Sequence, residues 1–151
     1  MHDRGEVIIR NARISDIDAI KRVEDRSFKY PYSKSFLLYL LNISDAFYVA
    51  TIDSPDKIVG YICGSVEGDR GHIISIAVDP SYRRRGIGKL LMERIMSFYR
   101  ERGIRRVYLE CRVSNRVAQR FYEALGFRRK CIVKQYYENG EDAIVYIKDL
   151  V

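Results

Sequence analysis

At 151 residues, 47% of them apolar and none in a low-complexity stretch, the chain has the size and composition of one globular domain, residues 1–151, with core enough to dispense with disulfide or metal staples. No run of eighteen apolar residues occurs and MHDRGEV lacks the apolar stretch of a signal peptide, so a soluble, cytoplasmic protein without a membrane partner is expected. A net charge of +7 suits nucleic acid, an acidic partner or a polyphosphate ligand; with no helix-turn-helix, zinc-finger or aromatic-rich RNA-binding strand in view, nucleic acid is not expected.

Val7, Ile8 and Ile9 form a first short strand. Ser15, followed by Asp16 and Asp18, reads as the cap of a helix with Ile17, Ile20 and Val23 on its apolar side. Pro31 ends that helix at or before Tyr30, and Ser33 caps a second helix carrying Phe36, Leu37, Leu40 and Leu41. The loop between them, SFKYPYS, places Tyr30 and Tyr32 either at the edge of the core or in the wall of a binding groove. Phe47 to Ile52 and Ile58 to Val66 read as antiparallel strands joined through Asp53-Ser54-Pro55-Asp56, and Gly68 to Gly71 turns the chain into the strand Ile73 to Val78. A helix follows from Gly86 to about Arg102, with Ile87, Leu90, Leu91, Ile95 and Phe98 on one face. Then come a strand from Arg106 to Cys111, a helix from Asn115 to Leu125 stopped by Gly126, and two strands, about Arg128 to Gln135 and Ala143 to Ile147. Asn139-Gly140 between the last two is a hairpin signal. The order β-α-α-β-β-β-α-β-α-β-β predicts a mixed α/β fold, a twisted seven-stranded sheet that begins antiparallel and carries helices on both faces. Cys63, Cys111 and Cys131 form no C-x-x-C unit and lie in or beside apolar strand patterns, which predicts buried thiols and no metal site.

The most informative stretch is HIISIAVDPSYRRRGIGKLL. Asp79-Pro80-Ser81 ends the strand, and Arg83, Arg84, Arg85, Gly86, Ile87, Gly88 and Lys89 lead into the helix. The first N–H groups of a helix lack intrahelical acceptors and carry the positive end of its dipole, so an anion placed there accepts several hydrogen bonds. Glycines remove the Cβ between backbone and ligand, and the basic side chains add charge. Neither G-x-x-x-x-G-K-[ST] nor a full G-x-G-x-x-G is present, so this is a phosphate cradle of another kind. As an isolated feature, three arginines on a turn are as readily solvated charge.

Farther along, alternation sets Val107, Leu109 and Cys111 on one face of their strand and Tyr108 and Glu110 on the other. A carboxylate in an otherwise apolar strand is paired, hydrated or functional, and Arg112 is the simplest structural partner. Asn115, Ala118 and Tyr122 share one face of the following helix, beside an apolar stripe of Val117, Phe121 and Leu125. The plain alternative for Tyr122 is packing with a satisfied hydroxyl.

The pattern [QR]-x-x-G-x-[GA] after a strand ending V-D-P resembles the acetyl-coenzyme A pyrophosphate loop of the GNAT acetyltransferase superfamily. LECRVSNRVAQRFYEALGF is similar to the second half of the acetyl-CoA site in RimI-like protein N-terminal acetyltransferases. GHIISIAV and YYENGEDAIVYIKDL look like the archaeal and eukaryotic branch of those enzymes, while SFKYPYS is closer to the bacterial loop.

The resemblance implies a GNAT fold and transfer of the acetyl group of acetyl-CoA to the N-terminal amine of proteins, a ribosomal protein being one candidate substrate. It implies Glu110 as general base and Tyr122 as the acid that protonates the departing sulfur. Ile76, Ala77 and Val78 would pair with pantetheine, Arg83 to Lys89 would take the pyrophosphate, and Asn115, Ala118 and Tyr122 would complete the cofactor site. The amide of Val78 is the implied oxyanion donor, Tyr30, Tyr32 and Tyr137 the implied peptide contacts, and His72 a competing base. An α-amine, with a pKa near 8 against about 10.4 for lysine, suits a modest carboxylate base. Two alternatives stay open: a GNAT enzyme acting on lysine, a polyamine or another small amine, which a screen of amines against peptides would separate, and a non-catalytic acetyl-CoA-binding module, which would bind CoA yet turn over no amine. Oligomeric state is unknown from the sequence, with a monomer favoured.

Overall fold

The computed structural model describes residues 5–150; Met1 to Arg4, part of the charged N-terminal stretch, lie outside the described residues. Seven strands form one sheet in the order β1-β2-β3-β4-β5-β7-β6, and the element order is the one the sequence predicts. The chain divides into two compact units: residues up to Ser65 with Ser75–Phe98, and Val66–Ile74 with the residues from Tyr99 onward.

In the first unit, β1 (Val7–Asn11) runs antiparallel to β2 (Ala46–Ile52), and β2 antiparallel to β3 (Ile58–Glu67). All seven residues of β2 are buried, so the strand reads as a continuous apolar run rather than an alternation. Helices α1 (Ile17–Ser27), α2 (Lys34–Ile43) and α3 (Ile87–Glu101) add Ile20, Leu37, Leu91 and Ile95 to a core that includes Val49 and Ile62, all six with no exposed surface. Each such side chain contributes roughly 1.5–3 kcal/mol by leaving water. The buried stripe of α3 is Ile87, Leu91, Met92, Ile95, Met96 and Tyr99; Leu90, assigned to that face from its spacing, is 39% exposed. Phe36 on α2 is exposed for the same reason, a helical face being narrower than the run of apolar letters. Ser33 caps α2 as predicted, accepting the Phe36 N–H at 3.1 Å. At α1 the expectation of a Ser15 cap fails. A single 3-10 turn, Ile14–Asp16, precedes the helix, and Asp16 accepts the Arg13 N–H at 2.7 Å while Arg10 grips both its oxygens at 2.8 and 2.9 Å.

In the second unit, β5 (Arg106–Arg112) pairs antiparallel with β7 (Ala143–Asp149), which pairs antiparallel with β6 (Arg128–Val133). The start of β4 (Arg70–Val78) pairs in parallel with β5 through three residue pairs, Arg70 with Arg106, Gly71 with Val107 and His72 with Tyr108. Val107, Leu109 and Cys111 are buried and Tyr108 and Glu110 half-buried, the alternation the sequence predicts. Helix α4 (Arg116–Ala124) buries Tyr122, whereas Val117, placed on its apolar stripe, is 62% exposed. Strand β6 is the sheet edge and all six of its residues are exposed, so Cys131, expected to be buried, is not. An outermost strand with no layer over it has no covered face for alternation to fill. Asn139-Gly140 lies in the loop of the antiparallel β6–β7 hairpin, as its sequence signals, in a turn closed by the Gly140 N–H on the Tyr137 carbonyl at 2.8 Å.

Candidate active site

The first unit carries the loop and helix start. Leu90 N–H donates to the Gly86 carbonyl at 3.0 Å, the first hydrogen bond of α3, which leaves the N–H groups before it without intrahelical acceptors. Arg84 and Gly86 both have positive φ, 64° and 78°, on either side of Arg85. Such alternation turns successive N–H groups into a concavity suited to an anion. A Cβ built on Gly86 meets nothing within 4 Å, but its φ of 78° makes any L side chain strained there. The arginines are not equivalent. Arg83 Nε donates to the Val78 carbonyl at 3.1 Å, and the Arg85 guanidinium lies 5.1 Å from the Tyr82 ring centroid, while Arg84 and Lys89 are exposed. Exposed cations, open N–H groups and an uncrowded glycine fit a polyphosphate. Ala77 is buried, and Ile76 and Val78 are half-buried, on the later part of β4.

Tyr30 and Tyr32 also belong to this unit. Tyr30 is 47% exposed, and Tyr32 is half-buried with its ring 4.7 Å from that of Phe36. Beneath their loop is a buried carboxyl no motif announces. Glu24, 1% exposed, accepts the Tyr32 N–H at 2.9 Å and the Tyr61 hydroxyl at 2.5 Å, and that hydroxyl is 2.8 Å from Ser75 Oγ. Burial pushes the Glu24 carboxyl above its ordinary range, against the lowering effect of the Tyr61 bond.

The second unit carries a cluster of ionisable side chains on one sheet face. His72 Nε2 is 2.8 Å from Glu110 Oε1, so the two residues weighed as rival bases form one pair. Arg112, the expected structural partner of Glu110, bonds Glu141 and Asn139 instead, with its guanidinium 4.0 Å from the Tyr137 ring. The strand β4 begins at Arg70, two residues earlier than His72, and the imidazole has 17% side-chain exposure. Three further contacts fix it. Its ring stacks on Tyr108 at 4.4 Å and 1°, its Nδ1 lies 3.1 Å from Glu67 Oε2, and its carbonyl accepts the Tyr99 hydroxyl at 3.1 Å. Gly71 is required beside it, since a Cβ there would stand 2.6 Å from the Tyr99 ring. Burial alone would lower the imidazole pKa, but the hydrogen bond and charge of Glu110 and the charge of Glu67 outweigh it, and the net direction is up.

Tyr122 is 7% exposed, packed against Phe127 and Tyr146 with ring centroids 5.9 Å away in each case, and burial drives its phenol pKa upward. It stays a proton donor at neutral pH. Asn115 caps α4 by accepting the Ala118 N–H at 3.0 Å, and Ala118 is half-buried on the same helix. Glu67 was missed in the sequence, and Tyr108 was placed on the face of Glu110 without a role. Gly68-Asp69 is the two-residue turn that sets Glu67 opposite Arg70, two residues before His72, so the strand period alone puts both on one face.

Residues 17–127 match the model of the acetyltransferase (GNAT) family, and the match runs through both units. An uncharacterised N-acetyltransferase of Methanocaldococcus jannaschii is 42% identical over 94% of this chain and 91% of its own. An N-alpha-acetyltransferase of Sulfurisphaera tokodaii is 38% identical over 91% of this chain and 90% of its own. The crystal structure of the ribosomal-protein-S18-alanine N-acetyltransferase of Escherichia coli superposes with a TM-score of 0.84 at 29% identity, covering 96% of this chain and 94% of that one. With the family model spanning most of its length and a relative above 40% identity across nearly all of it, this chain belongs to the GNAT acetyltransferase family.

Proposed function

We propose that the protein is an N-alpha-acetyltransferase that moves the acetyl group of acetyl-CoA to the N-terminal amine of proteins in the cytoplasm. The observation that carries the reading is the His72–Glu110 pair, 2.8 Å apart on a sheet face of an acetyltransferase whose relative from Sulfurisphaera tokodaii is an N-alpha-acetyltransferase. A ribosomal protein is the first substrate to try, as the Escherichia coli enzyme of like fold acetylates the alanine of S18.

Acetyl-CoA supplies an activated thioester acetyl group. Arg83 to Lys89 would hold its pyrophosphate through the first-turn N–H groups of α3 and the Arg84 and Lys89 charges, and Ile76 to Val78 and the Asn115–Ala118 cap would complete its site. Glu110, sharing a proton with His72, takes the proton that the attacking amine must lose. Tyr122, held protonated by burial, would donate to the sulfur that leaves, and the Val78 amide would receive developing oxyanion charge. Tyr30, Tyr32 and Tyr137 would contact the peptide; the bond from Glu24 to the Tyr32 N–H gives that loop a fixed anchor.

Mass spectrometry of peptides incubated with protein and acetyl-CoA tests this. Acetyl groups on α-amines across several N-terminal sequences are expected. Modification confined to lysine side chains or to small amines would replace the proposal with another GNAT substrate class, and CoA binding without turnover would leave a binding module.

A further inference from the structure

Glu24, 1% exposed, is an ionisable side chain that takes no part in the proton transfers above. Burying a carboxyl is costly unless its oxygens are bonded, and an apolar side chain of equal size would fill the same space at lower cost. What an apolar side chain cannot supply is an acceptor. Glu24 Oε2 accepts the Tyr32 N–H at 2.9 Å, and Oε1 accepts the Tyr61 hydroxyl at 2.5 Å. The N–H belongs to the loop around Pro31 that carries Tyr30 and Tyr32. Lys21, one turn earlier on α1, donates to the Tyr32 carbonyl at 2.9 Å, so α1 holds both polar groups of that residue's backbone.

The far end of this chain of bonds is β4. Tyr61, on β3 and without exposed surface, reaches Ser75 Oγ at 2.8 Å, and Ser75 directly precedes Ile76, Ala77 and Val78. The end of α1 is tied to the same strand a second time: Ser27 Oγ donates to the Val78 carbonyl at 3.4 Å, and Arg26 pairs with Asp79 at 3.0 Å. The loop is thereby fixed against the strand that the reading above gives to the cofactor.

We propose that Glu24 is a positioning residue for the peptide: its carboxyl sets the height of the Tyr30–Tyr32 loop over β3 and β4, and with it the site that the first residues of the substrate enter. This rests on the N-terminal acetyltransferase reading above. The role is that of an acceptor, not of a charge. In Glu24→Gln the amide oxygen can take the Tyr32 N–H while the amide N–H donates to the Tyr61 oxygen, whose own hydrogen turns to Ser75. Every bond of the chain is then kept, with its direction reversed between Glu24 and Ser75. In Glu24→Met the volume is kept and the acceptor is gone.

The test uses the full chain as wild type, Glu24→Gln, Glu24→Met and Tyr61→Phe, with amide hydrogen exchange at Tyr32 and steady-state kinetics on the same samples. In wild type and Glu24→Gln the Tyr32 N–H should exchange about 10²-fold or more slowly than an open loop amide, and in Glu24→Met that protection should be lost. The peptide KM should rise about tenfold in Glu24→Met, with kcat and acetyl-CoA affinity within about twofold, the split expected when a binding surface loses its preorganisation. Glu24→Gln should bring the peptide KM back to within about threefold of wild type, the rescue that an acceptor role requires. Tyr61→Phe fills its space but removes the brace to β3; it should raise the peptide KM about threefold and carries the kinetic arm if Glu24→Met does not fold. A Tyr32 N–H that exchanges freely in wild type would overturn the proposal. So would an unchanged peptide KM in folded Glu24→Met or, failing that, in Tyr61→Phe, and so would equal losses of kcat and acetyl-CoA affinity, which mark a disturbed fold. The exchange readout requires no substrate. Inert peptides would therefore remove the substrate class and the peptide role of Glu24 with it, whereas a freely exchanging amide would remove the role of Glu24 alone.

Discussion

The loop from Arg83 to Lys89 in the first unit, proposed to hold the pyrophosphate, and the His72–Glu110–Glu67 cluster of the second are built from different materials. The loop is made of backbone: positive φ at Arg84 and Gly86, N–H groups without helical acceptors, and side chains that are partly engaged elsewhere, as Arg83 is with the Val78 carbonyl. The cluster is made of side chains from β3, β4 and β5, each held by its neighbours to within hydrogen-bond distance. A backbone site tolerates loss of one side chain and fails when its surface is blocked, whereas a side-chain site fails through single isosteric changes that leave every surface in place.

The largest effect should therefore come from the cluster. Glu110→Gln keeps the shape and one hydrogen bond to His72 but cannot accept a proton, and turnover should fall by about 10²- to 10⁴-fold with acetyl-CoA affinity near wild type, as read by steady-state kinetics and calorimetry. Tyr122→Phe should cost about 10²-fold, and the deficit should shrink with an acetyl donor whose thiol is more acidic, because such a thiolate leaves with less help. An undiminished deficit across that series would remove Tyr122 from the role of acid.

The loop should respond in the opposite manner. Gly88→Val adds a branched side chain to the first turn of α3 and should weaken acetyl-CoA binding about 10- to 100-fold through loss of charge-assisted hydrogen bonds, with turnover at saturation much less affected. Equal affinity in a folded variant would take the pyrophosphate away from this loop.

Smaller still for catalysis, but not for folding, is the fork between Arg10 and Asp16, where Asp16 is 6% exposed. Asp16→Asn should destabilise the protein by about 1–2 kcal/mol in urea titration without changing the relative rates of the variants above, since it removes the charge from a half-buried fork while Arg10 keeps the carbonyls of Asn11 and Pro55. The hydrogen bond from Arg10 holds the Asp16 carboxyl below its ordinary 3.8. Its contribution is accordingly present above that value and lost as the pH falls through the lowered one, so the stability gap between wild type and variant should be full at neutral pH and close in acid.

The same contrast explains what could be read in advance. The element order, the Ser33 cap and the loop from Arg83 to Lys89 are local, each written within a few consecutive residues. The cluster is not. Glu67 and His72 are five residues apart and Glu110 is thirty-eight from His72, and their meeting depends on a two-residue turn at Gly68-Asp69 and on the parallel register of His72 with Tyr108. Reading Gly68 to Gly71 as the turn left His72 just ahead of the strand Ile73 to Val78, whereas β4 begins at Arg70. Exposure misled for a related reason at Leu90, Val117 and Cys131: a periodic pattern gives the direction of a face, but whether a layer covers it is decided by elements distant in sequence. Glu24 was silent because a glutamate on a helix is ordinarily solvated, and only the partners Tyr61 and Tyr32 make its burial tolerable.

The central claim is that the proton leaves the amine through Glu110, with His72 as its partner rather than its rival. The direct measurement is a pH series of turnover for wild type, Glu110→Gln and His72→Ala on one peptide. Glu110→Gln should show the deepest loss and recover part of it as the pH rises past about 8, where the α-amine loses its proton unaided, with His72→Ala showing a smaller loss of the same pH shape. If only His72→Ala shows the loss that rising pH repairs, and Glu110→Gln runs parallel to wild type, then the imidazole is the base and the account given for Glu110 is wrong.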